Sequence, residues 1–190
     1  MKTCERCEYD FTLILAGFSQ DSAGIEEALF AAGCDDATLA FRSGRPMLTF
    51  SRSGNSIKDA IVTAIQDVRK AGIGADVIRV DVCHLVTISE IARRIGRTRQ
   101  VVHQYMRGQR GPGGFPGPVC EIGAGIMAWY WCEVAFWLWK NDMIKEDILR
   151  DAIEVDTINS VLEMEHLRKQ DADLIDEVRR SIGSHCESCS

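Results

Sequence analysis

Apolar residues in the first 85 positions change their spacing in a set order, and that order limits the folds open to the chain. Phe11, Leu13 and Leu15 alternate as in a strand, which stops at Gly17. A helix follows, with Asp21 or Ser22 as its cap, Ile25, Ala28, Leu29 and Ala32 on one face, and Gly33 as its stop. Thr38–Phe41 and Met47–Phe50 are short alternating runs around Arg-Ser-Gly-Arg-Pro, a hairpin signal. Ser56 caps a second helix, where Ile57, Ala60, Ile61, Ala64, Ile65 and Val68 share a face and Gly72 follows. Val77, Ile78 and Val80 make the last strand.

Strand, helix, strand, strand, helix, strand is the βαββαβ order of the ferredoxin-like unit, an order that other α+β sandwiches share. At Thr87 the pattern changes. Thr87-Ile-Ser-Glu90 has capping-box spacing, and Ile88, Ile91, Ala92 and Ile95 line a short helix that ends at Gly96. Thr98 caps a second helix, Arg99–Arg107, with Val102, Tyr105 and Met106 inside. A Gly/Pro-rich loop runs from Gly108 to Pro118. Val119–Ile122 and Ile126–Trp131 read as a hairpin around Gly123-Ala-Gly125, and Cys132–Lys140 as a compact helix. From Asp142 to about Ser181 the pattern is helical, with Ile144, Ile148, Ile153, Ile158, Val161, Leu162 and Leu167 as its apolar positions and a division near Asp156–Asn159. The reading is α+β in three parts: a ferredoxin-like unit (1–85), a unit of paired helices and a hairpin (86–141) and a helical tail (142–190).

The net charge of −6 argues against a generic polyanion binder, but its distribution does not. Residues 91–120 hold six arginines and no acid, whereas 1–90 carry a balance of −4 and 141–190 one of −7. A local positive patch in an acidic chain is an electrostatic footprint for a polyanion. It coincides with two short helices around a glycine turn, the signature of a helix-turn-helix. The outward residues of the second helix are Arg99, Gln100, His103 and Gln104. Arginine bonds guanine O6 and N7 bidentately, and glutamine does the same to adenine N6 and N7. Arg93, Arg94, Arg97, Arg107 and Arg110 suit phosphates, which set register but not sequence. The Thr98 hydroxyl and the helix N-terminus add a phosphate contact.

These residues, with Arg110-Gly-Pro-Gly-Gly-Phe-Pro-Gly-Pro118 and the Trp129-Tyr-Trp131 segment leading into Val134–Trp139, resemble the excisionase/MerR-like winged helix-turn-helix proteins over about residues 86–140. The resemblance implies a hairpin wing beside the helix pair, double-stranded DNA as partner, and Arg110 with its loop as wing contacts. It implies no small-molecule effector, because the N-terminal part departs from those families. The reading is a sequence-specific regulator of transcription, working as a homodimer on a palindromic site. The tail helices suit either a dimer interface or packing on the winged unit. The alternative is an adaptor, or an antitoxin or defence-associated regulator, whose N-terminal unit and acidic tail hold a partner protein.

Trp129, Trp131, Trp137 and Trp139 are expected in the core of the winged unit. Cys4, Cys7, Cys186 and Cys189 form two CxxC pairs, the spacing of a Cys4 zinc site if the termini meet. Frayed termini or labile thiol pairs are the other readings, and the expected activity requires no cofactor. Cys34, Cys83, Cys120 and Cys132 sit in apolar settings and read as buried free thiols. No catalytic residue is expected: His84 and His166 read as satisfied or solvated, and Gly111-Pro-Gly-Gly114 lacks the Gly-Lys-Ser/Thr ending of a phosphate loop. Ile126–Trp139 is interrupted by Glu133 and falls short of the roughly 20 apolar residues that span a bilayer. No membrane is expected as partner, and the cytoplasm is the expected location.

Overall fold

Leu13 and Leu15, fully buried, lie on one of the two central strands of the first sheet in a computed structural model that describes residues 7–18, 24–81, 84–121, 123 and 125–183. The fold is mixed α+β, and the described residues are 50% helix and 23% strand. Its first part runs β1 (Cys7–Ala16), α1 (Ile25–Ala32), β2 (Ala37–Arg42), β3 (Arg45–Gly54), α2 (Ile57–Lys70) and β4 (Asp76–Val80). The sheet order is β2-β3-β1-β4, with every neighbouring pair antiparallel. Ser43 (φ 52°) and Gly44 (φ 77°) form the two-residue turn between β2 and β3; positive φ at both positions matches the right-handed twist of the flanking strands. Helix α1 starts after Gly24, and the caps expected at Asp21 and Ser22 lie outside the described residues. Ser56 caps α2 as expected, accepting from the Asp59 N–H at 3.1 Å.

One buried cation ties this unit together. Arg52 on β3 donates to both Asp36 carboxylate oxygens (2.7 and 2.8 Å), to Asp67 on α2 (2.8 Å) and to the Gly33 carbonyl (2.8 Å). Its guanidinium also lies 4.9 Å from the centre of the Phe50 ring. The two carboxylates hold the Arg52 pKa above its ordinary value.

The second part runs β5 (Leu85–Val86), α3 (Ile88–Arg94), α4 (Arg99–Met106), β6 (Cys120–Glu121), β7 (Met127–Tyr130) and α5 (Trp131–Lys140), with a small antiparallel sheet in the order β5-β7-β6. Two tryptophans pin the Gly/Pro-rich loop to the core: the Trp129 indole N–H donates to Pro116 O and that of Trp137 to Gly113 O, each at 2.9 Å. Phe115 packs edge-on against both rings. Trp129, Trp131 and Trp137 are buried as expected, whereas Trp139 is exposed beside Phe136.

The last helices are α6 (Glu146–Gln170) and α7 (Ala172–Gly183). The division expected near Asp156–Asn159 is absent, because the polar residues there are absorbed by the helix. Thr157 and Ser160 hydroxyls donate to the carbonyls of Ile153 (2.8 Å) and Asp156 (3.0 Å), one turn back. The break falls at Asp171, whose carboxylate accepts from the Leu174 N–H at 2.9 Å and starts α7. Leu149 and Ala152 of α6 join the core of the second unit, while Val155 and Leu162 join the core of the first. The expected apolar positions Ile148, Ile153, Val161 and Leu167 are exposed instead. Asn159 closes the joint: its side chain accepts from the Val80 N–H (2.8 Å) and donates to the Val80 carbonyl (3.2 Å). A carboxamide thus completes the edge of β4 as a neighbouring strand would.

Candidate nucleic-acid interface

Both helices of the pair are capped by the threonines the spacing indicates. Thr87 Oγ1 accepts from the Glu90 N–H at 3.4 Å, and Thr98 Oγ1 from the Val101 N–H at 3.3 Å. Between them Gly96 takes φ +61°, and the Arg97 N–H donates back to Ala92 O at 2.9 Å. A positive φ ends α3 sharply and costs least at glycine. Ile91, Ala92, Val102 and Tyr105 are buried in one core, so the opposite face of α4 is turned outward. Arg99, Gln100 and His103 are exposed and Gln104 is half-buried.

The surroundings of α4 form two shallow depressions that share His103. Arg99, His103 and Met106 border one of about 350 Å³, whose far wall is Gly125, Ile126 and Met127 of the β6–β7 hairpin. Gln100, His103, Gln104, Arg107 and Gln109 border the other, of about 390 Å³. Arg97 and Thr98 lie exposed at the N-terminus of α4 and Arg110 lies exposed in the loop after it. Among the described residues no carboxylate lies within 4.0 Å of Arg97, Arg99, Arg107 or Arg110. Four cations therefore face solvent uncompensated around one helix.

Arg93 and Arg94 differ from those four. Both donate to Glu90, at 2.6 and 3.0 Å. The Arg94 guanidinium also lies 4.7 Å from the centre of the Trp131 ring, and its side chain is 15% exposed against 73% for Arg93. Arg94 is thus engaged inward, bracing α3 on α5. Glu90 sits one position before the acid-free stretch, so a count over residues 91–120 misses it. Its carboxylate serves the two arginines rather than closing a capping box.

Hydrogen bonds from Arg93, then Arg94, hold the Glu90 carboxyl at about 2, below its ordinary 4.5. A carboxylate with a depressed folded pKa stabilises above the unfolded value and loses that contribution as pH falls through the folded one. Glu90→Gln is therefore expected to cost about 1 kcal/mol near neutrality, the partial exposure of the pair keeping the value small. The difference from wild type should vanish between pH 4.5 and about 2. Thermal melts of the two proteins across that range check it.

His84, Cys34 and Cys132 are shifted as well. His84 stacks on Tyr130 at 5.9 Å and contacts Arg79; burial, then Arg79, lower its pKa and favour the neutral ring. Cys34 is buried, and burial with Asp67 pushes its thiol up to about 11. Cys132 is half-buried and likewise pushed up to about 11 by burial and Asp156. Cys120 is exposed, not buried as expected, because it lies on β6, the outer strand of its sheet. Cys7 is exposed at the start of β1; Cys4, Cys83, Cys186 and Cys189 lie outside the described residues. Among the described residues no group of three or more His, Cys, Asp or Glu is placed to hold a metal ion. No described helix is long and apolar enough to cross a membrane.

Comparison with protein-family models, with curated proteins and with solved structures finds no match to this chain.

Proposed function

We propose that this chain is a sequence-specific double-stranded DNA-binding protein, a regulator of transcription that lays α4 in the major groove. On this reading α3 and α4 are a helix-turn-helix, the β6–β7 hairpin is its wing, and the N-terminal sheet is a ferredoxin-like unit carried beside them. One observation carries the proposal: Arg99, Gln100 and His103 stand exposed on the outer face of a doubly capped helix pair, beside Arg97, Arg107 and Arg110, which have no carboxylate partner among the described residues. Arg99 and Gln100 suit base edges. Arg97, Arg107 and Arg110 suit the flanking phosphates, which raise affinity without reading sequence. The negative charge elsewhere repels DNA from other faces.

Selection of bound duplexes from a random pool at two salt concentrations tests the proposal. A recurring sequence is expected. On that sequence Arg99→Ala should cost about 1–3 kcal/mol and relax preference at one base pair. Arg107→Ala should weaken all duplexes alike and lower the slope of log affinity against log salt by about one. Equal losses for both variants on selected and random duplexes would remove the base-reading role. Absence of any shift at low salt would remove the DNA role itself.

A further inference from the structure

A slot of about 280 Å³ opens along the half of α6 that passes from one core to the other. Ile148, Ala152 and Val155 of α6 share one face at helical spacing and form an apolar stripe in its lining. Ile57 at the start of α2 and Trp131 and Cys132 at the start of α5 complete the apolar part. Two carboxylates, Asp151 and Asp156, also line the slot. Helical spacing sets them on opposite sides of the stripe, about 7.5 Å apart along the α6 axis.

These charges are poorly met. Asp151 has no hydrogen-bond or ion-pair partner among the described residues, and the neighbouring Arg150 pairs with Glu146 at 3.5 Å instead. Burial, then Glu154 and Asp147, hold the Asp151 carboxyl above its ordinary value. Asp156 accepts only from the Cys132 thiol, at 3.6 Å. The one arginine in the lining, Arg94, is committed to Glu90 at 3.0 Å and to the Trp131 ring. His84 completes the lining, and burial, then Arg79, favour its neutral ring. The slot thus presents an apolar stripe with a negative charge on either side.

We propose that this slot binds a linear diammonium ligand, one ammonium group on Asp151, the other on Asp156, and the methylene chain over Ile148, Ala152 and Val155. The pattern of the ligand, cation–apolar–cation, is the complement of the pattern of the wall. An anion is repelled from both sides, and a ligand with one charge leaves a carboxylate unmet. The axial separation of the carboxylates, about 7.5 Å, is roughly the span between the nitrogens of a five- or six-carbon diamine. The volume lies just below the range of about 300–1,000 Å³ that holds drug-sized molecules, as suits so small a ligand. The site does not rest on the DNA reading and is tested without DNA.

Titration calorimetry of the full chain with 1,5-diaminopentane and 1,6-diaminohexane should give a single site with Kd of about 0.1–1 mM. Hexylamine, with one charge on the same chain, should bind at least about fivefold more weakly. Asp151→Asn and Asp156→Asn should each weaken the diamines about tenfold and remove most of their advantage over hexylamine. Asp147→Asn makes the same charge change one turn away, outside the slot, and should alter affinity less than about twofold. All three carboxylates reach solvent, so the variants keep the core, and circular dichroism melts confirm that they fold. No saturable binding of either diamine below about 10 mM overturns the proposal. So does equal affinity for hexylamine, or an equal loss on Asp147→Asn and Asp151→Asn, which marks attraction to the acidic surface alone.

Discussion

Arg52→Leu is expected to lower the unfolding free energy by about 3 kcal/mol, read as a shift of the urea midpoint at unchanged slope. Arg52 is buried, yet its guanidinium donates five hydrogen bonds: two to the Asp36 carboxylate after α1, one each to Asp67 and Thr63 on α2, and one to the Gly33 carbonyl. Removing the guanidinium leaves two carboxylates facing one another over a carbonyl, with no cation between them. Loss of one side of a buried pair costs about 3–5 kcal/mol. Asp36 and Asp67 keep 29% and 30% of their side-chain surface, so water offsets part of that and the low end applies. Arg52→Lys should recover little, because an ammonium cannot span both carboxylates in a planar fork. Adding Asp36→Asn and Asp67→Asn to Arg52→Leu should recover most of the loss, since the penalty lies in the stranded charges.

Asn159→Ala is expected to cost about 2–4 kcal/mol, measured in the same way. The substitution strands the Val80 N–H and carbonyl in a buried joint and leaves a small void. The effect should spread beyond the site, because α6 carries side chains of both cores and this carboxamide fastens its middle to β4. Hydrogen exchange should rise in β4 and α6 together. Asn159→Asp separates hydrogen bonding from shape. Its carboxylate accepts from the Val80 N–H but repels the Val80 carbonyl; once protonated, it donates to that carbonyl. Its folded pKa is therefore raised above the unfolded value, and the variant should approach wild type as pH falls toward about 4.

Local signals in the chain were reliable wherever one residue acts on its own backbone. Ser56, Thr87 and Thr98 cap the helices their positions indicate, and Gly96 turns where a positive φ was needed. The outer face of α4 follows from the same arithmetic, since Val102 and Tyr105 at helical spacing leave Arg99, Gln100 and His103 outside. Glu90 was legible in principle, three and four residues before Arg93 and Arg94.

Local spacing alone determined the order of strands and helices through α5 except for β5, the caps at Ser56, Thr87 and Thr98, and the open face of α4, because each depends on contacts within a few residues. Only tertiary structure decided the course of α6 and the use of Asn159 and Arg52. A helix with apolar side chains on every face has no inward side until two cores compete for it, and here Ala152 and Asn159 were buried while Ile153 and Val161 were not. A polar residue becomes structural only where distant backbone or carboxylates come within bonding distance, and no local spacing records that distance.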